Sequence, residues 1–173
     1  MGDLLSYIFI WVMLYVVISR LSELCLSHYN TKRLLQQGAQ SHHDGHYKFI
    51  ILCHAGWIIS LLILTPMDSH ANMLFLLLFI MVQILRYWVL WTLGRYWTTR
   101  IISLPNAPLV KKGIYRYIKH PNYMVVVLEF MLLPSIFAQY EIAIIFSLLN
   151  GCLLFYRIKC ENKVLALRAK NHY

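Results

Sequence analysis

Residues 113–123 read GIYRYIKHPNY and bring several groups capable of chemistry into one short polar stretch. Gly113 permits a turn that other residues do not make easily. Pro121 suits the first turn of a helix, where its missing N–H costs nothing. The free N–H groups and positive dipole end of that helix favour an anion such as a carboxylate or phosphate. His120 stands immediately before it and can donate or accept a hydrogen bond, so the stretch is a candidate ligand-binding loop.

The same stretch also allows a purely structural interpretation. Tyrosine, lysine and arginine side chains commonly anchor helices at the membrane interface, which would account for Tyr115, Tyr117 and Tyr123. This interpretation does not explain the glycine or the His-Pro pair. From composition alone, both interpretations stay open.

A second group of polar residues lies at 157–165, RIKCENKVL. Arg157 and Glu161 are four residues apart and share one face of a helix. As an exposed ion pair they would stabilise that helix by only about 0.2–0.5 kcal/mol. Alternatively, Glu161 faces inward, where its carboxylate could accept hydrogen bonds from the hydroxyls or the ammonium of a ligand.

The elements that must position these groups are membrane helices. The 173 residues are 60% hydrophobic, only 13% are charged, and the mean hydropathy is +0.58. Soluble domains carry about 25% charged residues, and the length fits one domain, residues 1–173. We therefore predict an all-α, polytopic membrane helix bundle with about five transmembrane spans. The predicted spans are Leu4–Ser19, Phe49–Leu64, Ala71–Leu93, Tyr123–Ala138 and Ile142–Tyr156.

The distribution of basic residues predicts the orientation of the bundle. With five alternating spans, all sixteen lysines and arginines fall in one group of connecting segments and adjoining span ends. Such residues resist translocation, so we expect the N-terminus outside and the C-terminus in the cytoplasm, in a bacterial plasma membrane. The net charge of +9 then indicates contact with membrane lipid headgroups, and we expect no nucleic-acid partner.

Several ionisable groups lie within the spans, where they are costly and are by default functional candidates with a partner. Glu129 could pair with Arg86 as a buried structural pair or could contact the substrate directly. Arg20 and Glu23 share a helix face and could satisfy each other. His54 is more often a core histidine than a base.

Neither a metal centre nor a disulfide framework is indicated. The four cysteines are scattered singly, and His42, His43 and His46 stand in a glycine-containing segment typical of a solvated loop. The sequence gives no indication of the oligomeric state.

GIYRYIKHPNY, a hydrophobic hairpin and then RIKCENKVL together resemble the carboxy-terminal half of the isoprenylcysteine carboxyl methyltransferase family. That family's pattern is Gly-x-Tyr-Arg-Tyr-x-Arg-His-Pro-x-Tyr and, after the hairpin, Arg-Ile-x-x-Glu-Glu-x-x-Leu. RLSEL and GAQSHHDGHY are similar to the small bacterial branch of alkylpyrone and polyketide O-methyltransferases. Two departures stand out: the arginine before His-Pro is Lys119, and the second glutamate is Asn162.

The resemblance implies a membrane methyltransferase that uses S-adenosyl-L-methionine, with a cofactor-binding half at about residues 93–168. Arg116 or the helix N-terminus could hold the cofactor's carboxylate, and Glu161 its ammonium and ribose hydroxyls. Tyrosine and tryptophan faces, including Trp97, attract a sulfonium. The implied cofactor-binding residues are Tyr115, Arg116, Tyr117, His120, Pro121, Tyr123, Glu161 and Asn162.

The resemblance also implies a lipophilic small-molecule acceptor that arrives from the bilayer. We expect O-methylation of an alkylpyrone-like enol or an isoprenylcysteine-like carboxylate, oriented by a cation. The catalytic candidates are Arg157, Glu161 and Arg95. The substrate-binding candidates are Arg86, Trp97, Glu129 and Glu23. Two alternatives stay open: an NADPH-dependent membrane reductase of the sterol type, which also carries His-Pro-Asn-Tyr, and a non-catalytic membrane adaptor.

Overall fold

The computed structural model describes residues 7–42, 45, 47–104, 110 and 112–170, with backbone only for 167–170. Five helices make up most of the described chain. Two short antiparallel strands pair through Gln40–Ser103 and Ser41–Ile102 and so join two loops that are distant in sequence. The helices are α1 Ile8–Gln36, α2 Tyr47–Leu64, α3 Met73–Leu93, α4 Pro121–Ile136 and α5 Tyr140–Lys170, and the strands are β1 Gln40–Ser41 and β2 Ile102–Ser103.

The predicted membrane helix bundle is confirmed. Four helical segments of the described chain are long and apolar enough to cross a membrane, and α4 is a shorter apolar helix. The first and last predicted spans stop too early, because α1 continues to Gln36 and α5 to Lys170. A helix satisfies its own backbone hydrogen bonds, so it need not end where its sequence turns polar. Which end of the bundle faces which side of the membrane stays a prediction.

The apolar core includes residues of all five helices. The ring of Trp57 stacks on Phe130 with centroids 4.3 Å apart, and Phe9 meets Phe137 edge to face at 5.0 Å. Asn72 caps α3 by accepting hydrogen bonds from the N–H groups of Leu74 and Phe75. Helix α3 packs along α4, and α5 packs against both α4 and α2. We call the end of the bundle that holds the C-termini of α1, α3 and α5 and the N-terminus of α4 the polar end.

Four charged side chains, the buried Glu23, Arg86 and Glu129 and the partly buried Arg20, form a closed ring of alternating charge, which we call the quartet. Arg20 contacts Glu23 at 3.2 Å and Glu129 at 2.9 Å. Arg86 binds Glu23 through Nε and Nη2, and its Nη1 donates to Glu129 at 2.5 Å. Gln83 adds a bond from Nε2 to Glu129 at 2.8 Å. The predicted pairs Arg86–Glu129 and Arg20–Glu23 are confirmed, and their union ties α1, α3 and α4 together.

Removing one charge from the quartet should be more damaging than removing two of opposite sign. Arg86→Met leaves two buried carboxylates against one arginine, so we expect the free energy of unfolding to fall by about 3–5 kcal/mol. The double variant Arg86→Met/Glu129→Gln keeps the Arg20–Glu23 pair and should lose less. Denaturant titration in detergent micelles measures both.

Ile84→Ala is the control, since Ile84 lies on the same helix and its side chain is 66% exposed. It should change the free energy of unfolding by no more than about 0.5 kcal/mol. Equal losses in the single and the double variant would contradict an energetic role for charge pairing in the quartet.

Candidate functional site

The segment after α3 lies across the polar end because side chains of two helices form hydrogen bonds with it. Asn30 of α1 donates from Nδ2 to the carbonyls of Gly94 and Trp97, at 3.1 and 2.8 Å. Ser27 bonds both the N–H and the hydroxyl of Thr99, at 2.8 and 2.7 Å. The hydroxyl of Tyr47 on α2 bonds the Thr99 hydroxyl at 2.9 Å. Residues 94–99 are thereby fixed relative to α1 and α2.

Arg157 of α5 extends this network into a continuous chain of polar contacts. Its Nη2 donates to the Thr99 carbonyl at 2.6 Å, and its Nε donates to the Tyr123 hydroxyl at 2.9 Å. That hydroxyl donates to Glu161 at 2.5 Å. Arg157 and Glu161 are therefore bridged through Tyr123, and no direct ion pair joins them among the described residues. The exposed-pair interpretation of these two residues is wrong, because Arg157 is buried.

The stretch GIYRYIKHPNY forms the loop that enters α4. Gly113 begins a short 3-10 turn and has φ +56°, and a Cβ there would lie 2.9 Å from Oγ1 of Thr92. Pro121 occupies the first turn of α4, as predicted. Glycine is favoured here for two reasons: other residues rarely adopt this φ angle, and a Cβ would be too close to α3.

His120, at the end of this loop, faces Glu161 of α5. Nδ1 of His120 lies 3.7 Å from Oε2 of Glu161, and the imidazole stacks on the Tyr123 ring with centroids 5.3 Å apart. Burial, and secondarily the negative charge of Glu161, raises the pKa of Tyr115 above its ordinary value. Tyr115 is therefore a neutral phenol at physiological pH and can donate a hydrogen bond.

A cavity of about 980 Å³ lies between this loop, the segment after α3 and the polar end of α5. We call it the polar cavity. Glu161 supplies an acidic group to its wall, and Arg116 and Lys119 supply basic groups. The structure brings most of the predicted cofactor residues together here, together with Trp97 and Arg157. The predicted cofactor residues in its lining are Tyr115, Arg116, Tyr117, His120, Tyr123 and Glu161.

Two predicted cofactor residues are not part of that lining. Pro121 is fully buried at the start of α4, where its contribution is to the helix geometry. Asn162 keeps its Oδ1 enclosed without a hydrogen-bond partner among the described residues. It lies one residue beyond Glu161, and neighbouring positions on a helix point about 100° apart.

A second cavity, of about 350 Å³, lies deeper in the bundle and is mainly apolar. We call it the apolar cavity. Leucines and isoleucines of α1 and α2 form much of its wall, and several of them, including Leu21 and Ile59, are also exposed on the outside of the bundle. Glu23 and Arg86 line it as well. Glu129 does not, because it is only 1% exposed behind the arginines.

The two cavities meet at one set of side chains. Trp97, Asn122, Tyr123 and Arg157 line both, and we call these four residues the partition. Trp97 is 3% exposed and its carbonyl is held by Asn30. Sequence reasoning missed Asn122, which occupies an unspecified position of the motif, and it missed the tethers Ser27, Asn30, Tyr47 and Thr99, since common polar residues at those positions give no distinctive signal.

Arg95 differs from the other predicted catalytic residues. It is exposed, its Nη2 donates to the Tyr96 hydroxyl at 2.9 Å, and it lines neither cavity. The 3-10 turn Gly94–Tyr96 directs it away, because the chain leaves the α-helical repeat at Gly94, which has φ +50°. The structure therefore gives Arg95 no place beside the partition.

No group of residues able to hold a metal ion occurs in the described part of the chain. Nε2 of His42 bonds the Ser103 hydroxyl at 2.8 Å, next to the paired strands. His43 and His46 lie outside the described residues.

Comparisons with known proteins bear on the same region. A model of the isoprenylcysteine carboxyl methyltransferase (ICMT) family matches residues 73–167. The uncharacterized protein YpbQ of Bacillus subtilis is 36% identical over 160 residues, covering 90% of this chain and 95% of that protein. An uncharacterized protein of Haemophilus influenzae is 21% identical over 152 residues, covering 85% and 88%. No solved structure matches the chain significantly.

Gly113→Ala should destabilise the loop that enters α4. An alanine at this φ costs about 1–2 kcal/mol, and its Cβ would press on Thr92, so we expect a lower midpoint of thermal unfolding. Gly151→Ala is the matched control, because a Cβ there meets nothing within 4 Å and alanine favours a helix. The measurement is the midpoint of thermal unfolding of each purified variant. A midpoint for Gly113→Ala equal to that of the wild type would contradict the proposed strain at this position.

Proposed function

The chain belongs to the isoprenylcysteine carboxyl methyltransferase family of membrane methyltransferases, and on that premise we propose that it transfers a methyl group from S-adenosyl-L-methionine to a lipophilic acceptor. The observation that carries the proposal is the partition. A large cavity with charged walls meets a smaller apolar cavity at four side chains. A water-soluble cofactor and a lipid-soluble acceptor could therefore meet there from opposite directions.

The residues of the polar cavity fit this cofactor chemically. Glu161 presents a carboxylate for an ammonium or for ribose hydroxyls, and Arg116 at the wall presents a cation for a carboxylate. Nε2 of His120 is enclosed without a partner among the described residues and so has unused hydrogen-bonding capacity. The aromatic faces of Tyr115, Tyr123 and Trp97 suit a sulfonium. When bound, the cofactor supplies an electrophilic methyl group.

The apolar cavity suits the acceptor. Aliphatic side chains of α1 and α2 form much of its wall, and several of them also reach the lipid-facing surface, so a molecule dissolved in the bilayer could enter sideways. We propose O-methylation of an alkyl-substituted enol, in keeping with the resemblance to the small bacterial branch. An isoprenylcysteine-like carboxylate is the other candidate acceptor.

The protein's contribution to catalysis would be positioning. Methyl transfer is a single displacement, so holding the two reactants in line can supply up to about 7–11 kcal/mol of rate acceleration. Arg157 presents a cation at the junction of the two cavities and would orient an ionised acceptor oxygen. Thr99 and Tyr123 hold that guanidinium in place from two sides. Trp97 and Tyr123 would exclude water from the reacting atoms.

The basic residues at the polar end support a cytoplasmic location for the polar cavity, in a bacterial plasma membrane. This is the side on which S-adenosyl-L-methionine is made, and it is the side favoured by the distribution of lysine and arginine.

Titration of the purified protein with S-adenosylhomocysteine tests the cofactor assignment. Glu161→Gln removes the charge that would hold the ligand, so we expect binding about 10–150-fold weaker, corresponding to about 1.5–3 kcal/mol. Lys163→Gln, on the exposed side of the same helix, should bind like wild type. Binding of NADPH with no binding of S-adenosylhomocysteine would overturn the proposal in favour of a reductase.

Arg157→Lys tests the positioning role. Lysine keeps the charge but cannot reach Thr99 and Tyr123 together, so we expect kcat to fall by about 100-fold with little change in affinity for S-adenosylhomocysteine. The measurement is transfer of labelled methyl groups into lipophilic products extracted from membranes. Arg95→Lys is the matched control and should retain activity. Full activity in Arg157→Lys would contradict the positioning role, and an unchanged cellular phenotype in inactive variants would favour the adaptor hypothesis.

A further inference from the structure

His54 is a polar residue in the wall of the apolar cavity for which the proposed reaction has no use. It lies on α2, and its ring meets Phe130 edge to face with centroids 4.8 Å apart. Nδ1 lies 2.9 Å from the carbonyl oxygen of Ile50. A carbonyl only accepts hydrogen bonds, so Nδ1 carries the proton. Apolar surroundings disfavour the charged imidazole, and the neutral ring with its proton on Nδ1 presents Nε2 as a hydrogen-bond acceptor.

Nε2 of His54 remains available to a ligand. Within the described part of the chain it has no hydrogen-bond partner, and the surrounding atoms do not enclose it completely. It therefore keeps access to the cavity that the ring lines. The charged groups on the same wall are Arg20, Glu23 and Arg86, with Arg157 at the partition. Arg20, Glu23 and Arg86 make their principal hydrogen bonds within the quartet, and Arg157 bonds Thr99 and Tyr123. In the part of the wall that lies below the partition, His54 is therefore an acceptor with free capacity.

His54 lies too far from the partition to take a proton from the methylated oxygen. It lies seven positions after Tyr47, whose hydroxyl bonds Thr99 beside Arg157. Its ring neighbour Phe130 likewise lies seven positions after Tyr123. At 1.5 Å per residue, both helices place the imidazole about 10 Å deeper than the partition. A general base must lie within hydrogen-bond reach of its proton, so His54 belongs to the far end of the acceptor.

We propose that His54 forms a deep polar subsite for a second hydroxyl of the acceptor. The inference deepens the proposed function and rests on it. The preferred acceptor class is then a lipophile with two polar ends, an oxygen to be methylated at the partition and a hydroxyl group about 10 Å away, the rise of seven helical residues. Within an apolar cavity, a hydroxyl without a partner is costly, so the subsite selects acceptors by the position of this group.

Two rigid phenols test the subsite. In para,para′-biphenol two phenyl rings separate the hydroxyls, and this separation is close to the distance between the partition and His54, about 10 Å. In para-phenylphenol the second hydroxyl is missing. Both are titrated calorimetrically into the full-length protein in nanodiscs, with empty nanodiscs as the blank. The affinity ratio of the two probes is compared between wild type and His54→Phe, which keeps the ring contact with Phe130. Because both proteins are measured in the same nanodiscs, this comparison cancels the unequal solubility of the two probes in lipid.

We expect the ratio to favour para,para′-biphenol about fivefold more in wild type than in His54→Phe, as a single net hydrogen bond predicts. His54→Gln offers an amide oxygen near the position of Nε2 and should restore the ratio. Ile58→Val, one turn along the same cavity wall, should leave it at the wild-type value. Equal ratios in wild type and His54→Phe, or no binding of either probe, would overturn the subsite.

Titration of the same samples with S-adenosylhomocysteine separates this inference from the proposed function. Normal binding of S-adenosylhomocysteine with equal probe ratios rejects the subsite and leaves the methyltransferase proposal standing. A His54-dependent probe ratio without binding of S-adenosylhomocysteine supports the subsite and rejects the cofactor.

Discussion

The interior of this bundle depends on the quartet of Arg20, Glu23, Arg86 and Glu129. Hydrocarbon offers no partner to a charge, so each of the four must be satisfied within the protein. Because two of them belong to α1 and the others to α3 and α4, satisfying them fixes where α1 lies. Helix α1 then forms one wall of the apolar cavity and α2 another. The charged cluster thus maintains an apolar space.

At the polar end, the same requirement for partners builds the partition. Ser27, Tyr47 and Arg157, from three different helices, all bond Thr99. Arg157 continues through Tyr123 to Glu161. One connected network therefore sets both the boundary between the cavities and the orientation of the groups around it. A substitution of any residue in this network should alter the lining of both cavities, since charge-assisted hydrogen bonds are strong and directional.

Much of the fold could be predicted from the sequence, because long apolar runs in water-poor surroundings have few alternatives to helices. The apolar runs indicated the positions of all five helices. The positions of Glu129 and Arg86 well inside predicted membrane spans indicated that they pair. The ends of α1 and α5 could not be predicted from hydropathy, because helices continue past the apolar segment. The motif predicted that His120 and Glu161 meet. It did not predict that Asn162 and Pro121 are excluded from the cavity lining, which depends on the rotation of each helix.

The sequence by itself determined a membrane helix bundle, its buried charge pairs and the residue types that face the polar cavity, because these follow from hydropathy, charge and one specific motif. Only the tertiary structure decided that Arg157 stands at a junction of two cavities, that Arg95 points away from it, and that His54 faces the apolar cavity with a free nitrogen. Those outcomes depend on how helices distant in sequence pack and rotate against one another, and spacing along a single chain does not carry that information.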